Sequence, residues 1–241
     1  MQYRFIRTQF NLLVQGTFRQ FGRVFNAAST LGLVMIALAS ASFAQALDIN
    51  VDNAADVDSH AKADPIRGGE ISSTCTQCHG PDGNSLAGAF PSIAGQGERY
   101  LYEQMKAIRN GERPAPLMVG QLDNMTDQDL KDMAAWYSGN EAQVGQADSS
   151  NLDLGRSLYT HGDPSRNIPA CTACHGVRGQ GIESAGFPAL SGQYAQYTSK
   201  TLKDYQSGHR GSGVNGVMND LADRLTPEEI AALANFIQGL Y

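Results

Sequence analysis

Cys75-Thr76-Gln77-Cys78-His79 and Cys171-Thr172-Ala173-Cys174-His175 are two copies of one five-residue pattern, and together they use all four cysteines of the 241-residue chain. Cys-x-x-Cys-His is the attachment signature of a c-type haem. The spacing has a chemical reason: two thiols three positions apart can add to the two vinyl groups of one porphyrin, and the histidine that follows then lies under the iron. No cysteine is left over for a disulfide. The two copies predict two covalently bound haems c, one on Cys75 and Cys78 and one on Cys171 and Cys174, with His79 and His175 as iron ligands.

Zinc and thiol chemistry fit poorly. A structural zinc ribbon has its two Cys-x-x-Cys pairs roughly 15 to 20 residues apart, whereas these lie more than 90 residues apart. A thioredoxin-like redox pair needs a βαβ setting. Both motifs stand instead in glycine- and proline-punctuated sequence flanked by helical patterns.

Outward from the motifs, the halves of the chain repeat. Phe90-Pro91-Ser92-Ile93-Ala94-Gly95-Gln96 returns as Phe187-Pro188-Ala189-Leu190-Ser191-Gly192-Gln193. Tyr100-Leu101-Tyr102, Met105 and Ile108 have a helical spacing that recurs from Tyr197 through Leu202 to Tyr205, and each pattern closes on a glycine, Gly111 and Gly208. The offset between halves grows from 96 at the cysteines to 97 at the Phe-Pro element and 100 at the last helix, so the insertions are loop-sized. Thr126 and Thr226 each precede acids and a helical apolar period, Leu130, Met133, Ala134, Tyr137 and Ile230, Leu233, Ala234, Ile237, which predicts capped, core-facing helices.

The periodicities predict an all-α chain. Domain boundaries fall at 65–138 and 151–241, joined by a polar linker over 139–150, with a helix starting near Asn151 and a shorter counterpart around Ile66 to Ile71. Residues 47–64, rich in aspartate, read as a flexible arm. Each half is small for a self-sufficient core, and a buried porphyrin supplies the missing apolar volume.

The sixth iron ligand separates a carrier from a catalyst. A His/Met iron is closed on both faces, whereas a singly ligated iron can bind a reactant. Met218 is the only methionine after the second motif, in a glycine-rich loop eight residues before Thr226. The first half offers Met105, Met118, Met125 and Met133. Met105 and Met133 fall on apolar helical stripes, where methionine is core filler. Met125 has Leu225 as its counterpart, and leucine cannot bind iron; both suit a hydrophobic staple against Leu130 and Ile230. Met118, eight residues before Thr126, matches Met218. The repeat therefore selects Met118 and Met218. Of the other histidines, His60 lies in the arm, His161 precedes the second motif, and His209 is the rival to Met218; its counterpart is Glu112 or Arg113, which cannot play the same role.

Cys-x-x-Cys-His-Gly followed by Phe-Pro-x-Ile/Leu-x-Gly-Gln and a late methionine before a terminal helix, twice over residues 65 to 241, resembles the di-haem cytochrome c4 family. The resemblance implies two tandem class I cytochrome c domains, each a small helical fold around a covalently bound haem, with the propionate edges facing one another. It also implies that the carbonyls of Pro91 and Pro188 accept hydrogen bonds from the rings of His79 and His175, which fixes each ring and raises its basicity. The departures are an abbreviated first helix and a short Gly111–Met118 loop carrying Pro114 and Pro116.

The N-terminus adds a compartment. Arg4, Arg7, Arg19 and Arg23 precede an apolar stretch from Ala27 to Ala44 and an Ala44-Gln45-Ala46 site, so residues 1–46 read as a cleaved signal peptide. The stretch is shorter and more serine-dotted than the roughly 20 apolar residues of a spanning helix. Export and haem attachment point to the periplasm. The chain carries a formal charge of −6, which becomes −10 once those four arginines are removed, so nucleic acid is excluded as a partner. Similarity to the family implies a cytochrome bc1-type quinol-oxidising complex as donor and a haem-copper terminal oxidase as acceptor, with peripheral association at the membrane. The rivals are a di-haem peroxidase with one open haem, and a cytochrome c subunit of a membrane oxidoreductase that keeps its N-terminal segment as an anchor.

Overall fold

Threonine hydroxyls decide where the last helix of each half begins. Thr126 accepts from the amide of Asp129 while the Asp129 carboxylate accepts from the amide of Thr126, and Thr226 and Glu229 form the same reciprocal cap. The computed structural model describes residues 62–211 and 216–241. In chain order the helices are α1 (Pro65–Ile71), α2 (Thr76–His79), α3 (Glu98–Arg109) and α4 (Asp127–Ser138) in the first half. The second half holds α5 (Leu152–His161), α6 (Thr172–His175), α7 (Ala195–Gln206), α8 (Val217–Ala222) and α9 (Pro227–Gln238). Among the described residues there are no strands, only the isolated bridges Asp163–Ile168 and Ile182–Phe187, as an all-α chain requires. None of the helices among them is long and apolar enough to cross a membrane.

Each half is built on its last helix. α1 and α3 pack on α4, and α5 and α7 pack on α9. The crossings are backbone-close because a glycine sits at each: a Cβ on Gly68 would lie 2.0 Å from the Asp132 carbonyl oxygen, and one on Gly155 would lie 2.1 Å from that of Ala232. One turn further on, the halves place their buried tyrosine on opposite helices. The first buries Ser72 from its leading segment and Tyr137 from α4; the second buries Tyr159 from α5 and Ile237 from α9. The tyrosine has changed helices, and its partner is a serine in the first half and an isoleucine in the second, so the second pair is the bulkier.

Ion pairs tie the leading segments down. Arg67 bridges Asp129 and Asp132 in the first half, and Arg166 bridges Asp163 and Glu229 in the second. The Thr126 hydroxyl and amide, with Arg67 behind them, hold the Asp129 carboxyl down to about 2. A carboxyl depressed on folding stabilises the protein above its unfolded pKa and loses that contribution as pH falls through the folded one. The stability gap between the protein and its Asp129→Asn variant is therefore expected to be full above about pH 4 and to close towards pH 2, which urea midpoints at a series of pH values will show.

The structure revises three expectations. Asp64, assigned by sequence to the arm, accepts from the amides of Ile66 and Arg67 and caps α1, so the first folded unit starts at or before it. Met218 is in α8 and not in a loop, while Met118 ends a 3-10 turn, Pro116–Met118. The polar linker is strapped to both halves: Asn84 Nδ2 donates to the Glu141 carbonyl (2.8 Å), and Gln238 Nε2 donates to that of Gln146 (2.7 Å). Its shortage of large apolar side chains, Val144 alone, marks a segment held by hydrogen bonds. The expected signal peptide, most of the arm, His60 and residues 212–215 of the glycine-rich stretch lie outside the described residues.

Candidate haem sites

A single helical turn is the local device that presents each motif. Cys75 and Cys171 are the N-cap residues of α2 and α6 and Cys78 and Cys174 lie within them, three positions on and close to one turn, so both thiols face the same side and the histidine follows at the turn's end. All four cysteines are free thiols of intermediate burial. Burial, with Cys174 nearby, pushes the Cys171 thiol up to about 11. Among the described residues, no three or more His, Cys, Asp or Glu side chains converge into a cage for a metal ion.

The histidines are poised as single-nitrogen donors. His79 and His175 are each 8% exposed. His79 Nδ1 lies 2.8 Å from the Pro91 carbonyl oxygen, and His175 Nδ1 lies 2.9 Å from that of Pro188. A carbonyl can only accept, so Nδ1 carries the proton and Nε2 keeps its lone pair. Burial lowers the pKa of both rings against the opposing effect of the carbonyl bonds, which favours neutral imidazole. The proline loops are themselves pinned. Gly83 O accepts from the amides of Ile93 (2.7 Å) and Ala94, and Gly179 O accepts from those of Leu190 (2.7 Å) and Ser191.

Met118 shares its surroundings with Met105 and Met125, all three packed against one cluster, so the repeat and not the packing distinguishes it. Met118 borders the core cluster of Leu122, Leu130 and Met133, which Cys75 also borders. Met218 borders the second-half core together with Cys171 and Leu190. Met133 is buried at the centre of its cluster, and Met105 and Met125 pack against its edge. His161 and His209 are exposed, with Nδ1 beside the hydroxyls of Thr160 and Ser207.

Sequence reasoning passed over two arginines. Arg113 and Arg210, at the 97-residue offset of the Phe-Pro elements, cross between the halves. Arg113 Nη2 donates to the Tyr197 hydroxyl (2.9 Å), and Arg210 Nη2 donates to that of Tyr100 (2.7 Å). Arg210 is 4% exposed, its Nε has no partner, and no carboxylate among the described residues pairs with either guanidinium. Burial pushes the Tyr197 hydroxyl up, but the two arginines outweigh it and hold its pKa below the ordinary value. A buried cation needs a counter-charge. The identity of both residues at one repeat offset was the available signal, and their pairing across halves was not in the sequence.

These groups can be tested together against a haem. Paired thiols on one face, a neutral imidazole with a free Nε2, a sulfur donor bordering the same core and a buried guanidinium lacking an anion match what a porphyrin with vinyl groups, iron and carboxylates would engage. The residues fit the group.

Comparison with known proteins gives the same result. The cytochrome c family model matches residues 66–138 and 153–241. Cytochrome c4 of Azotobacter vinelandii is 44% identical over 192 residues, covering 76% of this chain and 91% of the relative. The crystal structure of reduced recombinant cytochrome c4 from Pseudomonas stutzeri superposes with a TM-score of 0.73 at 41% identity, covering 74% of this chain and 100% of that one. A thiosulfate dehydrogenase electron acceptor of Stutzerimonas stutzeri is 33% identical over 167 residues, 67% of this chain and 76% of the relative.

Proposed function

The chain belongs to the cytochrome c family, in its di-haem cytochrome c4 branch, and on that footing we propose that it carries single electrons in the periplasm between a cytochrome bc1-type quinol-oxidising complex and a haem-copper terminal oxidase. Membership makes it a di-haem c-type electron-transfer protein with two covalently bound haems c. When bound, each haem supplies a one-electron ferrous–ferric couple.

The residues divide the work. Cys75 and Cys78, and Cys171 and Cys174, tether the two groups. His79 and His175 each offer Nε2 to an iron, and the carbonyls of Pro91 and Pro188 hold the rings in one tautomer. Met118 and Met218 would each offer a thioether sulfur to an iron, a donor that favours the reduced state and, together with histidine, would leave no position for a reactant. Arg113 and Arg210, without a carboxylate partner among the described residues, would supply positive charge to carboxylates of the bound groups. The observation that carries the reading is that the whole donor set is duplicated, a thiol pair, a His–Pro carbonyl bond and a methionine bordering the same core in each half, because a carrier needs two closed sites and a peroxidase needs one open.

The 33% identity with a thiosulfate dehydrogenase electron acceptor favours a second donor, a thiosulfate-oxidising enzyme, acting on the same two sites. Reduction rates with each purified donor distinguish the two.

The test is spectroscopic and gravimetric. The mature protein is expected to lack about 46 residues, to carry the mass of two haems and to show the red-edge ferric absorption of methionine ligation at both sites. One haem, or a resting five-coordinate site, overturns the carrier; an intact N-terminus supports a membrane-bound subunit instead.

A further inference from the structure

Two glutamines cross between the halves in a reciprocal clasp. Gln193 Oε1 accepts from the amide of Ser92 (3.0 Å) while Gln193 Nε2 donates to the Ser92 carbonyl (2.8 Å). Gln96 Oε1 accepts from the amide of Ala189 (2.8 Å) while Gln96 Nε2 donates to the Ala189 carbonyl (2.9 Å). Gln96 is 8% exposed.

The peptide units involved are the ones that hold the histidines. The amide of Ser92 and the carbonyl of Pro91 belong to one peptide group, and that carbonyl accepts from His79; the amide of Ala189 shares its group with the Pro188 carbonyl that accepts from His175. Each haem-site histidine is therefore two hydrogen bonds and one peptide away from a side chain of the opposite half. Peptide groups polarise along such chains: when the N–H end donates, the carbonyl end becomes a stronger acceptor. A stronger acceptor on Nδ1–H makes the imidazole more electron-rich and a better donor through Nε2.

We propose that Gln96 and Gln193 are crossed positioning residues, each lowering the reduction potential of the site in the other half. The proposal rests on His79 and His175 being the iron ligands. It predicts a crossed response that a purely structural clasp does not give. Gln193→Leu removes the acceptor for Ser92 N–H, weakens Pro91 O as a partner of His79, and is expected to raise the first site's potential. The expected shift is up to about tenfold in the one-electron equilibrium, about 59 mV, with the His175 site moved far less. Gln96→Leu is expected to do the converse. Gln193→Glu keeps an acceptor and is expected to leave the first site at or below its starting potential.

The measurement is a redox titration of the holoprotein followed by NMR, with each couple assigned from the hyperfine-shifted ring protons of His79 and His175. Crossed shifts support the clasp. Both couples moving together, the same-half couple moving alone, no movement, or a rise in Gln193→Glu overturns it. Absence of hyperfine shifts on either ring of the unsubstituted protein overturns the ligand assignment, and the clasp with it.

Discussion

Met218→Ala is expected to open the second site alone: its ferrous form binds carbon monoxide, its red-edge ferric band disappears, and its potential falls by at least about tenfold in the one-electron equilibrium, about 59 mV. The physical reason is the loss of a thioether that favours Fe(II) and the exposure of a coordination position that water or a small ligand then takes. Met118→Ala is expected to do the same at the first site. The comparison that gives these variants force is Met125→Leu. Met125 precedes the cap of α4 and packs against the first core where Leu225 precedes that of α9 and lies within the second core, so the leucine variant is expected to change neither couple. If either alanine variant leaves both couples and carbon monoxide binding unchanged, that methionine is a packing residue.

The largest stability effects are expected at the helix crossings. Alanine in place of glycine inside a helix gains about 1 kcal/mol of intrinsic propensity. At Gly155 the added methyl would meet the Ala232 carbonyl oxygen at 2.1 Å, and at Gly68 it would meet the Asp132 carbonyl oxygen at 2.0 Å. Backbone cannot swing aside as a side chain does, so α5 must move off α9, or α1 off α4, and the buried contacts beside them open. We expect Gly155→Ala and Gly68→Ala to destabilise their own halves by about 2 to 4 kcal/mol despite the propensity gain. Gly69→Ala is the internal control. Its methyl meets the Trp136 ring at 3.1 Å, and a ring that can shift makes the expected change small. Because two domains need not unfold together, each is followed by its own methionine-ligation band during denaturant titration. Equal effects at Gly68 and Gly69 would show that the close crossing does not govern stability.

Much of this protein was legible from spacing. The helices after Thr126 and Thr226 start where cap chemistry and a 3.6-residue period agree, and both periods place their apolar residues in the cores. Repetition allowed Met118 and Met218 to be proposed over Met125, because a ligand must recur as a donor atom and Leu225 has none. Composition misled at Met218, where glycines suggested a loop and the chain makes α8. Repetition was silent on the linker, whose polarity comes from being strapped by Asn84 and Gln238.

Covalent chemistry and short-range periodicity are local, so the sequence by itself determined two haem-attachment turns, a duplicated helical plan and the candidate donors flanking each iron. What tertiary structure alone decided is how one half acts on the other: the Arg113–Tyr197 and Arg210–Tyr100 crossings, the Gln96 and Gln193 clasp, and the exchange of Tyr137 for Tyr159 as the large core side chain. The hydrogen bonds join residues 84 to 110 positions apart, and no local pattern encodes a partner that only folding brings within hydrogen-bond reach.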